Sequence, residues 1–240
     1  MPDTTINGYK HYEDVGSGMP MLFIAGTRFD SAKSWVDYMG RNANGFRMII
    51  PDIRGMADSE HTTEVEGADW VNDLAALLDE LKIDTIHVSA ETLGTRVAVR
   101  FALAYPERTK SLILNGSIAY SYPAGDSERS NQPQERIDAM KFHHGEDAGA
   151  VNDFYLALHS DPAFHEYYDL RKIAEQVQAP TLLLRGDVDD DRHPIAHSTE
   201  LHFLIPNSRL QIYAGTEFNA MTNKEKESWA LIREFVAVLA

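Results

Sequence analysis

Residues 85–94 decide the fold, and their sequence is TIHVSAETLG. The first five residues have the apolar and β-branched character of a buried strand. A helical pattern follows directly and stops before Pro106. Between the strand and the helix, Ala90 and Gly94 place small residues two positions on either side of Thr92. This spacing predicts a tight strand-to-helix turn with the Thr92 side chain at its tip.

Other short apolar runs on both sides of this turn predict further strands of the same sheet. They cover residues 21–25, 46–50, 111–114, 181–184 and 210–213. Amphipathic helical patterns separate or follow them, for example over residues 70–81 and 229–236. Continuous apolar strands are typical of a parallel sheet that is covered on both faces. The alternation of strands and helices therefore predicts a doubly wound α/β fold.

Residues 116–174 interrupt the alternation, because they contain several helical fragments and no strand pattern. The segment is too long for a simple connection. We predict a helical insert here, between core segments 1–115 and 175–240. It contains eight of the chain's twenty Phe and Tyr residues: Tyr120, Tyr122, Phe142, Phe154, Tyr155, Phe164, Tyr167 and Tyr168. These aromatic residues would either line a pocket or form a small core within the insert.

Composition narrows the possible functions. The chain has 240 residues and no cysteine, which excludes disulfides, thiolate catalysis and cysteine metal sites. Its formal net charge of −15 argues against nucleic acid and anionic membrane as partners. The apolar runs are too short to span a bilayer, and the first residues do not resemble a signal peptide. These features predict a cytoplasmic protein that acts on, or binds, a small molecule.

Four motifs together resemble the α/β-hydrolase superfamily. The turn around Thr92 is similar to the family's nucleophile elbow, Gly-x-Ser-x-Gly, and residues 51–59 (PDIRGMADS) resemble its Asp-x-Arg-Gly-x-Gly-x-Ser loop. Residues 105–108 (YPER) match the usual end of the helix behind the nucleophile, and residues 184–189 (LRGDVD) match the segment that carries the triad acid. The resemblance, which is to small capped esterases and C–C hydrolases, implies a mostly parallel sheet flanked by helices with a helical cap.

The resemblance also implies a set of site residues. Thr92 occupies the place of the nucleophile, and Asp189 aligns with the triad acid. Glu217 stands where the family has its catalytic histidine. The backbone N–H groups of Thr27 and Leu93 would form the oxyanion hole. No cofactor or metal is implied.

Glu217 changes the chemistry that this set can perform. The last histidine in the chain is His202, so no imidazole can reach the site from the usual position. A glutamate cannot replace imidazole at its reference pKa of about 4.3. Two carboxylates in contact would share a proton, which gives one group able to act as acid or base near neutral pH. We therefore expect the carboxylates of Asp189 and Glu217 to lie within hydrogen-bonding reach.

Each of these residues also has a purely structural interpretation. Thr92 could simply fill the turn, and Glu217 could be a solvated loop residue. The acidic run of Asp187 and residues 189–191 could bind a metal, although a solvated turn is the commoner role for such a run. Histidines of the insert (His143, His144, His159 and His165) could place a base near the site, although surface placement is the commoner role for each. His193 or His197, which follow Asp189, could pack near that acid.

The sequence leaves two functions open. The first is a cofactor-independent enzyme that acts on a small ester-like or aromatic carbonyl compound through Thr92, Asp189 and Glu217, by hydrolysis or by lyase- or isomerase-type acid–base chemistry. The second is an inactive hydrolase-fold protein that binds a small ligand.

Overall fold

The computed structural model describes residues 11–26, 28–62, 65–120, 133–190 and 193–239. Within these ranges seven strands form one sheet: β1 (Tyr12–Gly16), β2 (Met19–Ile24), β3 (Phe46–Pro51), β4 (Ile86–Glu91), β5 (Thr109–Asn115), β6 (Thr181–Gly186) and β7 (Ser208–Tyr213). Their order is β1-β3-β2-β4-β5-β6-β7. Strand β1 is antiparallel to β3, and all other neighbouring strands are parallel. The mostly parallel sheet predicted from the sequence is confirmed.

The six predicted strands all form, but β1 was not predicted. Its sequence, YEDVG, contains little apolar character, and its burial alternates along the strand. It lies at the edge of the sheet, where one face contacts the protein and the other contacts solvent. A search for continuous apolar runs does not detect such a strand.

Nine α-helices lie in the described residues. They are α1 (Ala32–Asn42), α2 (Asp69–Glu80), α3 (Leu93–Ala104), α4 (Gln134–His144), α5 (Ala148–Leu158), α6 (Pro162–Tyr167), α7 (Ile195–Leu204), α8 (Ala220–Asn223) and α9 (Glu225–Ala237). Apolar residues of α2, α3 and α7 pack on one face of the sheet. Those of α1 and α9 pack on the other face. None of these helices has both the length and the apolar character needed to cross a bilayer.

Helices α4, α5 and α6 fall in the predicted insert, between β5 and β6. Their large apolar side chains belong to the same buried cluster as the α2 and α3 face of the sheet, as Met140, Phe154, Phe164 and Tyr168 show. The insert therefore shares its core with the sheet, while Phe142 remains 64% exposed. Tyr122 lies outside the described residues. The boundaries 116–174 remain a prediction.

The insert contacts the loops that leave the carboxyl ends of the strands. A Cβ atom added to Gly55, after β3, would lie 2.2 Å from the ring of Phe154. The backbone N–H of Ala57 donates a hydrogen bond to His144 Nδ1 at 2.8 Å. His143 Nδ1 lies 2.9 Å from Ser31 Oγ, after β2. The insert thus lies at the edge of the sheet where ligands bind in α/β folds.

Candidate active site

Thr92 occupies the turn between β4 and α3, as the sequence predicts. Its backbone has φ 45° and ψ −117°, a conformation that L side chains rarely adopt. A residue in such a conformation destabilises the folded protein by about 1–3 kcal/mol, and strained residues of this kind cluster at functional sites. Gly94 is necessary for the turn, because a Cβ atom there would lie 2.4 Å from the carbonyl oxygen of Ile24. The strain places the Thr92 side chain at the carboxyl edge of the sheet.

The hydroxyl of Thr92 is buried and makes no hydrogen bond to any residue that the structure describes. Gly26, in the loop after β2, lies directly against it: an added Cβ would be 1.6 Å from Thr92 Oγ1 and 2.7 Å from the carbonyl oxygen of Glu91. A buried, unsatisfied hydroxyl is unfavourable in a folded protein. A buried hydroxyl without a partner, with the backbone of Gly26 packed against it, is suited to bind a ligand.

We expect Gly26→Ala to lower the free energy of unfolding by about 1–3 kcal/mol, the usual cost of overpacking. The new methyl group would overlap Thr92 Oγ1. Gly40 in α1 provides the control, because a Cβ atom there meets nothing within 4 Å. Gly40→Ala should stabilise the protein by about 0.5–1 kcal/mol, since alanine is the better helix former. Urea denaturation compares the two, and equal effects would show that Gly26 has room for a side chain.

The predicted oxyanion hole is described only in part. Leu93 is the first residue of α3, so its backbone N–H belongs to the helix terminus, where donors have no acceptor within the helix. Thr27 lies outside the described residues.

Asp189 follows β6, as predicted, but its partners differ from those expected. Its Oδ1 accepts hydrogen bonds from Arg185 Nη2 at 3.1 Å and from the backbone N–H of Ile195 at 2.6 Å. The side chain is 52% exposed. Oδ2 accepts no hydrogen bond from a residue in the described ranges.

Glu217 lies in the loop after β7, and its side chain is exposed. The backbone of this loop is close to the end of β6, since the N–H of Val188 donates to the carbonyl of Thr216 at 2.9 Å. No hydrogen bond joins Glu217 to Asp189 in the described part of the chain. The predicted sharing of a proton by these two carboxylates therefore gains no support from the structure, because Asp189 Oδ1 is held by Arg185 and α7 instead.

The residue before Thr92 carries a buried carboxyl group that the motifs do not single out. Glu91 ends β4 and is 3% exposed. Asn219 Nδ2 donates to Glu91 Oε2 at 2.9 Å, and Asn115 Nδ2 donates to Asn219 Oδ1 at 2.7 Å. The ends of β4 and β5 are thereby connected to the loop that contains Glu217. The available signal was a charged residue at the end of an otherwise apolar strand.

Burial raises the pKa of Glu91 well above its usual range, and the nearby charge of Asp30 raises it further. Hydrogen bonds from Asn219 and Asn115 oppose this shift. Asp30 itself accepts a hydrogen bond from Trp35 Nε1 at 3.2 Å. The residue before Thr92 thus carries a carboxyl group whose pKa is raised by its burial.

The histidines that the sequence suggests as possible bases interact with residues other than Thr92. His193 stacks on Phe218 with ring centroids 3.8 Å apart, and its Nδ1 lies 3.2 Å from Asp190 Oδ1. Burial, and then the charge of Arg185, lowers the pKa of His197 to about 4. Burial also lowers the pKa of His143 to about 4 and that of His144. His159 and His165 lie in the insert, 6.1 Å apart between ring centroids. None of the imidazoles in the described residues is bonded to Thr92 Oγ1.

The acidic run after β6 contacts backbone N–H groups. Asp187 Oδ1 accepts from Gly215 at 2.7 Å, and Asp190 Oδ1 accepts from His193 at 2.7 Å. The structure instead brings His11, Asp52 and Asp58 together, with ligand atoms within 4.8 Å of one another. His11 Nδ1 is 2.6 Å from Asp52 Oδ2, and the N–H of Ala32 donates to Asp52 Oδ1 at 2.6 Å. His11 and Asp52 are therefore partners within the fold, whereas Asp58 Oδ2 lies 3.6 Å from Lys33 Nζ.

Comparison with known proteins agrees with this architecture. Residues 20–152 match the family model described as the alpha/beta hydrolase fold. A 2-hydroxy-6-oxo-2,4-heptadienoate hydrolase of Pseudomonas putida is 23% identical over 93% of this chain and 91% of its own. The chain therefore belongs to the α/β-hydrolase fold family.

Solved structures show the same fold. The meta-cleavage product hydrolase CumD from Pseudomonas fluorescens IP01 superposes with a TM-score of 0.76 at 19% identity, over 95% of this chain and 94% of its own. Est816, an N-acyl homoserine lactone degrading enzyme, superposes with a TM-score of 0.76 at 20% identity, over 98% of this chain and 100% of its own.

Proposed function

We propose that the protein is an enzyme that acts on a small carbonyl compound, ester-like or aromatic, at Thr92. The observation that carries the proposal is the buried, unbonded Thr92 hydroxyl at a strained turn against Gly26. Stability alone does not favour either the strain or the missing hydrogen bond. The relatives support the substrate class, because the Pseudomonas putida protein is named for hydrolysis of an oxo-dienoate.

In this proposal Thr92 Oγ1 attacks the carbonyl carbon or donates a hydrogen bond to the carbonyl oxygen. The Leu93 N–H, together with that of Thr27, stabilises the negative charge that develops on the oxygen. Proton transfer falls to carboxylates rather than to imidazole. Glu217, Asp189 Oδ2 and Glu91, whose pKa is raised by burial, are the candidates, and they suit hydrolysis as well as lyase- or isomerase-type chemistry.

A panel of compounds tests the proposal: a short aryl ester, an enol lactone and a 2-hydroxy-6-oxo-dienoate. We expect turnover of at least one of them, and a loss of kcat/KM of about tenfold or more in Thr92→Val. Thr109→Val is the matched control. Thr109 is the first residue of β5, at the opposite edge of the sheet from Thr92, and its hydroxyl donates only to the carbonyl of Tyr105. Equal turnover by the wild type and Thr92→Val would remove Thr92 from the mechanism.

The second candidate is a protein that binds such a compound without converting it. Two observations favour it: Asp189 Oδ1 is held by Arg185 and Ile195, and no imidazole in the described residues is hydrogen-bonded to Thr92 Oγ1. Calorimetric titration with the same panel distinguishes the candidates. Binding that Thr92→Val weakens, without turnover of any compound, would support the binding protein.

A further inference from the structure

Arg185 lies at the end of β6, and its side chain is completely buried. Arginine is rarely buried to this extent. Nε donates to the carbonyl of Gly186 at 2.9 Å, and Nη2 donates to Asp189 Oδ1 at 3.1 Å. Nη1 is also buried and has no hydrogen-bond acceptor among the described residues. A buried charged donor without an acceptor is among the most unfavourable arrangements in a protein. We therefore expect an acceptor for this atom.

Ser198 on α7 presents a second buried donor of the same kind. Its side chain is 0% exposed, and Oγ has no partner within the described ranges. Spacings of three and four residues place Ser198, Leu201 and Ile205 on one face of α7. Leu201 and Ile205 pack in the same cluster as Leu183 of β6. Side chains alternate along a strand, so Arg185 points to the same face of the sheet as Leu183.

The two donors meet at the junction of β6 and α7. Because α7 connects two parallel strands, it runs back along the sheet, and its first turn lies beside the end of β6. Asp189 Oδ1 accepts from both Arg185 Nη2 and Ile195 N, which fixes the guanidinium beside that first turn. Ser198 lies one turn further along the helix. The guanidinium and Ser198 therefore lie on the same face of the sheet, near the start of α7.

Arginines and carboxylates both lie near this position: Asp189 and Asp190 act on Arg185, and Arg171 is paired with Asp169. His197, next to Ser198, is buried, and after burial itself the largest influences on its pKa are the charges of Arg185, Arg171 and Arg96, all of which lower it. With a pKa of about 4, His197 is neutral at pH 7 and adds no positive charge. Asp189, the carboxylate that pairs with Arg185, is half exposed and shares its charge with solvent. The buried Nη1 of Arg185 still lacks an acceptor among the described residues, and a carboxylate oxygen would supply one.

We propose that Arg185 Nη1 and Ser198 Oγ bind a small carboxylate at the junction of β6 and α7. Arginine nitrogens and hydroxyls are suitable donors to carboxylate oxygens. Two free donors suit a monovalent carboxylate better than a phosphate or sulfate dianion, which needs more donors. The site does not include Thr92, and the proposal does not depend on the proposed function, although Arg185 also pairs with Asp189.

Nuclear magnetic resonance on the isotope-labelled full chain tests this proposal, with formate and acetate as probes. We expect saturable shifts of the His197 ring and the Ser198 amide at millimolar concentrations. His197→Gln assigns the ring signal. The wild type should bind both acids, and Ser198→Ala should weaken binding about tenfold or more through loss of one hydrogen bond to a charged group.

Thr199→Val is the matched control, because the Thr199 hydroxyl donates to the carbonyl of Ile195 within the helix. Its binding constant should equal that of the wild type. Arg185→Met should abolish binding, and Ser198→Ala provides the test if Arg185→Met does not fold. Absence of saturable shifts in the wild type, or equal binding by Ser198→Ala, would overturn the proposal. Equal affinity for chloride would overturn the assignment to carboxylates.

Discussion

The double variant Thr92→Ser, Glu217→His is expected to hydrolyse a short aryl ester about 10²-fold faster than the wild type, the usual scale of general-base assistance. It would supply an unhindered nucleophile and an imidazole at the position of the family's base. The backbone already holds residue 217 close to the end of β6, where a Cβ atom on Gly186 would lie 2.1 Å from the Glu217 carbonyl oxygen. Asp189 Oδ2 remains free to orient the new imidazole.

The single variants provide the controls for this experiment. Residues of a catalytic triad act as a unit, so Thr92→Ser or Glu217→His alone should change ester turnover little. Steady-state kinetics, with circular dichroism to verify folding, measures all four proteins. A folded double variant that is as inactive as its parent would show that the site is not a disabled hydrolase site. The ligand-binding interpretation would then be preferred.

Glu91→Gln is expected to raise the free energy of unfolding at pH 8 by about 1–3 kcal/mol, the range for relieving one buried, poorly satisfied polar group. Burial raises the folded-state pKa of Glu91 above its unfolded value of 4.5. The stability that Glu91 contributes is therefore complete below pH 4.5 and decreases as the pH rises through the folded-state pKa. Glutamine cannot ionise, yet its amide oxygen can still accept the hydrogen bond from Asn219.

The advantage of Glu91→Gln over the wild type should accordingly be absent at pH 4 and increase toward pH 8. Urea denaturation across this range measures it. Glu217→Gln is the matched control, because it removes a carboxylate from an exposed position and should change stability by less than about 0.5 kcal/mol. Parallel pH profiles for Glu91→Gln and the wild type would mean that Glu91 ionises in the folded protein as it does in the unfolded chain.

The sequence predicts those features that depend on local pattern. The turn at Thr92 requires small flanking residues and a strand followed by a helix, all within ten residues, so it is predictable. The buried strands are continuous apolar runs and are also predictable. Strand β1 was missed because edge strands need little apolar character.

The chemistry around Thr92 depends on contacts between distant segments, and here the sequence is less informative. The partners of Asp189 are set by the position of Arg185 and by the start of α7, which no alignment of motifs specifies. Glu91 was missed because a charged residue inside a turn motif is usually interpreted as exposed. Its burial results from the packing of Asn219 and Asn115 over the end of β4.

The common core of the insert and the sheet determines how a small molecule can reach Thr92. Opening the insert as a rigid lid would expose Met140, Phe154, Phe164 and Tyr168 to water together. Each such side chain loses about 1.5–3 kcal/mol when it leaves the interior. The free energy lost by all four side chains is comparable to the total stability of a typical domain. An open state of this kind would therefore be too rare for ligands to enter and leave through it. Under the proposed function, a ligand would enter and leave through local movements of individual side chains and loops rather than through opening of the whole insert.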